Sequence, residues 1–424
     1  MEHNSTIYST YVQILHRELV PAMGCTEPIA VAYCAAKARE ALGCLPDRVL
    51  VEASGNIIKN VKSVIVPNTD GRRGLKAAAA AGIVLGDPSR QLEVISKVEK
   101  EHIEDLARFL ETTPIEVRPA TSDLILDMCI TVFHGEDRAS VRIINHHTGI
   151  ARIERNGQIL FEDDPTSASE ETDLDYTLLT VADIYDFAQS VDINDVKAVL
   201  DRQIQYNTAI SEEGMRNDYG ANIGKVILQT NGDNVRTRAK AMAAAGSDAR
   251  MSGCELPVVI NSGSGNQGIT VTMPILEFYK EYKLPEEQLY RALTLANLIA
   301  LHLKEGIGRL SAYCGAVSAG AAAGSGIAYL LGGDLDKISH VLVNALAITS
   351  GMVCDGAKPS CAAKIASSVD AALLAYDMYE NNQQFYHGDG LVLKGVENTI
   401  RNISAVGREG MRDTDRKIIQ LMTQ

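Results

Sequence analysis

The sequence predicts an α+β protein with a large all-helical domain and a smaller α+β domain, and three observations carry that reading. Between residues 46 and 164 short segments alternate apolar and polar residues in strand fashion. Residues 162–175, EDDPTSASEETDLD, hold seven acids and no base, the composition of a solvated linker. From Tyr176 to Gln424 the chain reads as helices with Gly-rich rather than Pro-rich interruptions. Aromatic residues make up 5% with no Trp, while Gly and Ala abound, which favours helices whose backbones approach closely. The divisions follow: 1–45 as N-terminal helices contributing to the large domain, 46–164 as the α+β domain, and 165–424 as the helical domain.

Taken in order, residues 7–42 read as helix, split by PAMGCTEP and stopped at Gly43. RVLVEAS and NIIKNVKSVIVPN look like strands, followed by an Ala-rich helix over 74–85. ISKVEKEHIEDLARFLE, with charges at turn spacing, reads as an amphipathic surface helix. PIEVRPA, LILDMCITVFH, RASVRIINHH and GIARIERNGQIL alternate as strands, with Gly135-Glu136-Asp137 and Asn156-Gly157 as turns. Leu310 to Gly333 carries no charge and is long enough to span a bilayer. It is rich in Gly, Ala and Ser rather than Leu, Ile and Phe, so a buried helix hairpin is expected instead.

At 424 residues, a core of this size needs no disulfide staples. The net charge of −14 and the lack of a basic stripe argue against nucleic acid as a partner. MEHNSTIYSTYVQILHRELV has no basic region followed by an apolar one, so a cytoplasmic protein with reduced cysteines is expected. In that setting a clustered subset of the eight cysteines points to metal or catalysis. Cys34, Cys44 and Cys129 are read as small buried hydrophobes. Cys254, in MSGCELP, is either a neighbour of such a site or a packing residue. The adjacent His146 and His147 would point to opposite faces of a strand and are read as structural.

Cys314, Cys354 and Cys361 stand in LSAYCGAVSAG, GMVCDGAKPSC and SCAAK, 40 and then 7 residues apart. That spacing is too long for a zinc knuckle and too irregular for a disulfide framework. Three thiolates can hold three corners of a cubane iron–sulfur cluster and leave one iron open as a Lewis acid. In MGCTEP, Thr26 can cap a helix whose first turn holds Glu27 and Pro28. Cys25 would then lie just outside a helix N-terminus, where the partial positive charge favours thiolate. A cap with an incidental Cys is the plainer reading. NSGSGNQG, residues 261–268, follows the apolar run LPVVI and can converge backbone N–H groups on a carboxylate, with Ser262, Ser264, Asn266 and Gln267 adding polar side chains. A simple tight turn is the alternative. Lys59 and Asn60, in SGNIIKN, are weaker candidates on an expected strand, where they could simply face water.

GCTEPIA, SGSGNQG, GRLSAYCGA and CDGAKPSCA together resemble the L-cysteine desulfidase family, whose large domain is similar to the catalytic α domain of iron–sulfur L-serine dehydratases. The resemblance covers essentially the whole chain. It implies a [4Fe–4S] cluster on Cys314, Cys354 and Cys361 in the helical domain, with Cys25 as catalytic base or exchangeable ligand. It also implies β-elimination of L-cysteine to sulfide, pyruvate and ammonia. Thr26, Glu27, Lys59, Asn60, Ser262, Ser264, Asn266 and Gln267 are the expected substrate-binding residues. The serine dehydratases carry an SHTxGPM-like segment where this chain has PAMGCTEP. Its histidine has no equivalent here, which favours cysteine over serine. No Lys stands in a recognisable pyridoxal-phosphate setting. A small amino-acid substrate, no nucleic acid or membrane partner, and a homo-oligomer such as a dimer are expected. A serine dehydratase and a non-catalytic iron–sulfur sensor are the alternatives.

Overall fold

The N-terminal helices part company in the structure, a computed structural model that describes residues 1–2, 5–98, 100–122, 124–163, 174–308 and 310–423. Helix α1 (Thr6–Glu18), capped by the Ser5 hydroxyl, packs on the helical part of the chain. A three-residue strand, β1 (Pro21–Met23), then leads into α2 (Thr26–Leu42), which ends on Gly43 in the left-handed region. Helix α2 is buried along most of its length and packs on a six-stranded sheet. The break that the sequence shows at PAMGCTEP is therefore a strand and a change of partner.

The sheet runs in the order β3-β2-β4-β5-β6-β7. Strand β2 (Arg48–Ala53) is followed by α3 (Gly55–Val61), α4 (Gly74–Leu85) and α5 (Ile103–Thr112), which lead to β3 (Ile115–Pro119) in parallel with β2. The remaining strands, β4 (Asp127–His134), β5 (Asp137–Ile144), β6 (Ile150–Arg155) and β7 (Gln158–Glu162), are antiparallel. Register places Val49 opposite Val132, Val51 opposite Ile130 and Ala53 opposite Met128, all buried. One face of the sheet therefore carries the core. Asn156 and Gly157, both at positive φ, make the β6–β7 turn expected from their sequence.

Four expectations change. NIIKNV is a helix, α3, not a strand. Ile57 and Val61 fall one turn apart and are buried, and Lys59 and Asn60 are buried with them instead of facing water. The amphipathic helix expected over 95–111 begins only at Ile103 after a short 3-10 turn. The uncharged stretch 310–333 holds one buried helix rather than a hairpin. Cys44 is exposed and Cys129 half-buried, while Cys34 is buried as expected and donates to the Val141 carbonyl. Most of the acidic segment 162–175 lies outside the described residues.

The rest of the chain is helical: α6 (Val181–Ser190), α7 (Ile193–Arg216), α8 (Ile223–Asn231), α9 (Val235–Met251), then, after strand β8 (Pro257–Val259), α10 (Gly265–Tyr282) and α11 (Glu286–Ile307). After these come α12 (Gly315–Leu330), α13 (Leu335–Thr349), α14 (Ser360–Glu380), α15 (Val396–Ala405) and α16 (Arg412–Thr423). Helix α12, built almost wholly of small residues, runs through the middle and touches α10, α11, α13 and α14. Among the described residues no helix is long and apolar enough to cross a membrane. Besides the packing of α1, a strand pairing and a buried ion pair help tie the N-terminal third to this bundle. Strand β1 pairs antiparallel with β8, Ala22 opposite Val258. Lys59 of α3 donates to Asp415 of α16 at 2.6 Å, with the lysine side chain 1% exposed.

Close helix approach, expected from the Gly and Ala content, is seen where α4 meets α2. A Cβ on Gly82 would lie 2.0 Å from the Ala32 carbonyl oxygen. Gly82→Ala should push these helices apart and lower the unfolding free energy by about 1–3 kcal/mol, read from urea denaturation.

Candidate active site

Cys314 and Cys354 are 40 residues apart in sequence, but a two-stranded bridge holds them side by side. Tyr313 pairs with Val353, the Cys314 N–H donates to the Met352 carbonyl at 3.0 Å, and the Cys354 N–H donates to the Ala312 carbonyl at 2.6 Å. Cys361 follows in the first turn of α14, its N–H on the Lys358 carbonyl at 2.9 Å. All three thiols line one cavity together with Cys25. The cavity volume is about 110 Å³, below the ~300–1,000 Å³ of drug-sized ligand sites.

Cys25 takes the cap position of α2, one residue earlier than the sequence suggests, with Thr26 as the first helical residue. Its Sγ donates to Glu27 Oε2 at 3.2 Å, and Asn60 Nδ2 donates to Glu27 Oε1 at 3.0 Å. Opposite stands Arg250, near the end of α9 and 2% exposed. It donates to Thr26 Oγ1 at 3.3 Å and to Asn266 Oδ1 at 3.2 Å, so it joins the start of α2 to the start of α10. Lys304, also buried, lines the same cavity.

The expected substrate residues divide. Glu27, Asn60, Ser264, Asn266 and Gln267 line the cavity. Thr26 supports Arg250 from behind, and Lys59 is spent on Asp415. Ser262, in the left-handed region at φ 52°, bonds Asn261 and faces an adjoining cavity that reaches His146 and His147 and shares Glu27 and Ser264 as walls. Cys254 is buried outside the cavity, against the Tyr219 hydroxyl, which makes it a packing residue. Arg250 and Lys304 are the residues that sequence reading missed. The available signal was a charge inside a run of small or apolar residues, AAAGSDARM and LIALHLKEG.

The electrostatics reverse one expectation. Burial first, and then the Glu27 carboxylate, push the Cys25 thiol well above its ordinary range, and Arg250 opposes them only in part. The helix start does not outweigh desolvation, so Cys25 is a neutral thiol near pH 7. Cys314 is pushed up to about 12 by burial and by Cys354, against the Ala316 N–H. Cys361 is raised by burial, with Lys358 and Lys364 working the other way. Those two lysines meet on Asp355, the residue after Cys354, and keep a positive charge pair beside the cysteines.

The donor set, three thiols on one cavity, is of the kind a cubane cluster uses. Among the described residues no three His, Cys, Asp or Glu side chains sit close enough to hold one metal ion. A cubane takes one thiolate on each of three irons, and three cysteines line this cavity. The approach of Gln267 to the Cys314 loop depends on Gly315, where a Cβ would lie 2.7 Å from the Gln267 side chain.

A family model for the serine dehydratase alpha chain matches residues 89–420. The match includes Arg250 and the three late cysteines, and it leaves out β1, α2 and Cys25. The chain is also 57% identical to a UPF0597 protein of Desulfitobacterium hafniense, over 100% of this chain and 98% of that one. It is 50% identical to a UPF0597 protein of Lachnoclostridium phytofermentans, over 98% and 100%, and 48% identical to one of Finegoldia magna, over 98% and 99%.

Neutral, buried thiols should react slowly. In the metal-free protein at pH 7, iodoacetamide should alkylate exposed Cys44 well before Cys25 or Cys34, as mapped by peptide mass spectrometry. Raising the pH should speed Cys25 labelling, because more of its thiol ionises. Equal labelling of Cys25 and Cys44 at pH 7 would contradict the burial described.

Proposed function

The chain belongs to the serine dehydratase alpha-chain family, and on that premise we propose that it is a β-eliminating lyase that converts L-cysteine to sulfide, pyruvate and ammonia. The observation that carries the reading is the shared cavity of Cys25, Cys314, Cys354 and Cys361. Cys314, Cys354 and Cys361 would hold a [4Fe–4S] cluster, which supplies a Lewis acid for the leaving sulfur when bound.

The chain's own residues do the rest. The substrate's α-proton is weakly acidic, so it needs a strong base held close to it. Cys25 Sγ is that base, and its raised pKa cuts both ways: the thiolate is scarce but strongly basic. Glu27 Oε2, 3.2 Å away, is the acceptor for the thiol proton, so Cys25 and Glu27 move protons as a pair. Ser264 and Asn266, at the start of α10, position the substrate carboxylate beside uncapped N–H groups. Loss of the α-proton and of the Cβ–S bond leaves aminoacrylate, which tautomerises and takes up water to give pyruvate and ammonium.

A dehydratase acting on serine is the second reading, favoured by the description of the matching family and disfavoured by the cysteine at position 25. Anaerobic reconstitution followed by parallel sulfide and pyruvate assays separates the two. Cysteine should yield both products, and serine should yield little pyruvate. Replacing Cys314, Cys354 or Cys361 by Ala should abolish the visible iron–sulfur absorbance together with activity. Cys25→Ala should keep most of the absorbance and lose about 100-fold or more in kcat, the usual scale of a general base. Full activity in Cys25→Ala would remove it from the mechanism.

A further inference from the structure

Arg250 is a buried cation without an anion. Among the described residues no carboxylate lies within ion-pair distance of its guanidinium; its two bonds, at 3.2 and 3.3 Å, go to the neutral Asn266 and Thr26 side chains. Its Nε–H has no partner at all. Among the described residues the one carboxylate in the cavity wall is Glu27, and its two oxygens are on Cys25 and Asn60. A charge buried in this way is costly unless an anion completes it.

The same cavity wall carries orphans of the opposite kind. Asn60 Oδ1 and Gln267 Oε1 are buried and accept no hydrogen bond, in residues 7% and 4% exposed. The orientation of Asn60 follows from chemistry: its other end faces Glu27, a carboxylate that only accepts, so the amide nitrogen must point there and the oxygen is left over. Two unsatisfied acceptors beside a carboxylate want a cationic donor.

We infer that Arg250 is the specificity-determining receptor for a substrate carboxylate, while Asn60 and Gln267, backed by Glu27, receive an ammonium group, so that the cavity selects a zwitterionic α-amino acid by both of its charged ends. The inference rests on the reading of this cavity as the elimination site. It excludes amines without a carboxylate and acids without an amine, whatever leaving group they carry. Arg250 also positions α2 against α10, and its charge and that of Glu27 keep the two ends of the ligand in one orientation.

Calorimetric titration of the anaerobically reconstituted protein with L-alanine, propionate and ethylamine tests binding without turnover. L-Alanine should bind at least 10-fold more tightly than either analogue. Arg250→Lys, which keeps the charge but not the fork, should weaken L-alanine by about 10- to 100-fold and leave ethylamine nearly unchanged. Gln267→Ala should weaken L-alanine and ethylamine but not propionate, and it keeps the test open if Arg250→Lys does not fold. Absence of L-alanine binding to the unaltered protein, or propionate binding as tightly as L-alanine, overturns the inference. So does unaltered L-alanine affinity in a folded Arg250→Lys protein. L-Alanine binding with the expected pattern, but no sulfide or pyruvate from cysteine or serine, keeps the receptor and sinks the elimination reading.

Discussion

Four helices begin at one cavity, and that convergence constrains the chemistry around it. α2, α10, α12 and α14 all start in its wall, and none has a side-chain cap bond. Each start leaves backbone N–H groups without intrahelical partners and roughly half a positive charge. Arg250 and Lys304 add formal charge in the wall, and Lys358 and Lys364 stand behind the cysteine loop on Asp355. A surface of this kind, away from water, is comfortable only facing anions. Thiolates carrying a cluster and an amino-acid carboxylate are both anions of suitable size. The raised thiol pKa values of Cys25, Cys314 and Cys361 describe the cavity with its thiols still protonated. Ligation by thiolate would release those protons, so filling the site and neutralising the helix ends are one event.

Two short backbone pairings do the assembling. The β1–β8 ribbon docks the N-terminal segment on the bundle, and α2 starts three residues after β1 ends. The Tyr313–Val353 bridge brings together cysteines separated by 40 residues. Neither pairing spans more than three residues, yet each fixes a thiol at the cavity. The Lys59–Asp415 pair performs a similar task from the far side, tying α3, which carries Asn60, to the C-terminal helix.

Much of this was legible in the sequence, and the parts that were not share a physical cause. The α+β class, the helix over 74–85, the Asn156-Gly157 turn and the strands of the sheet follow from local periodicity and turn chemistry. Helix α3 was misread because seven residues are too few to separate a period of 2 from one of 3.6, and Ile-Ile favours a strand by propensity. Strand β1 was missed because three residues pair only through a partner more than 230 residues away. Glu27, Asn60, Asn266 and Gln267 were visible as polar residues in motifs, whereas Thr26 and Lys59, in those same motifs, turned out to support neighbours. Arg250 stood out only as a charge in an Ala-rich helix, and nothing local says which way that charge faces. Electrostatic balance was the least legible quantity: a helix start promised a lowered Cys25 pKa, and burial beside Glu27 raised it.

That reversal bears on substrate choice. A thiol with a lowered pKa would be ionised but a feeble base, poorly matched to a proton on an amino-acid α-carbon. A buried thiol beside a carboxylate is rarely ionised, but its thiolate is a far better match, and Arg250 across the cavity moderates the cost. In the proposed reading a substrate carboxylate would occupy Arg250 and remove much of that moderation, making Cys25 more basic once the substrate is seated. Binding and base strength would then be coupled through one guanidinium. The family match leaves out residues 1–88, so the Cys25–Glu27 pair lies in the segment outside it, while Arg250 and the three late cysteines lie within it. The chemistry of the leaving group would belong to the helical part of the chain, and the strength of the base to the segment that β1 docks onto it.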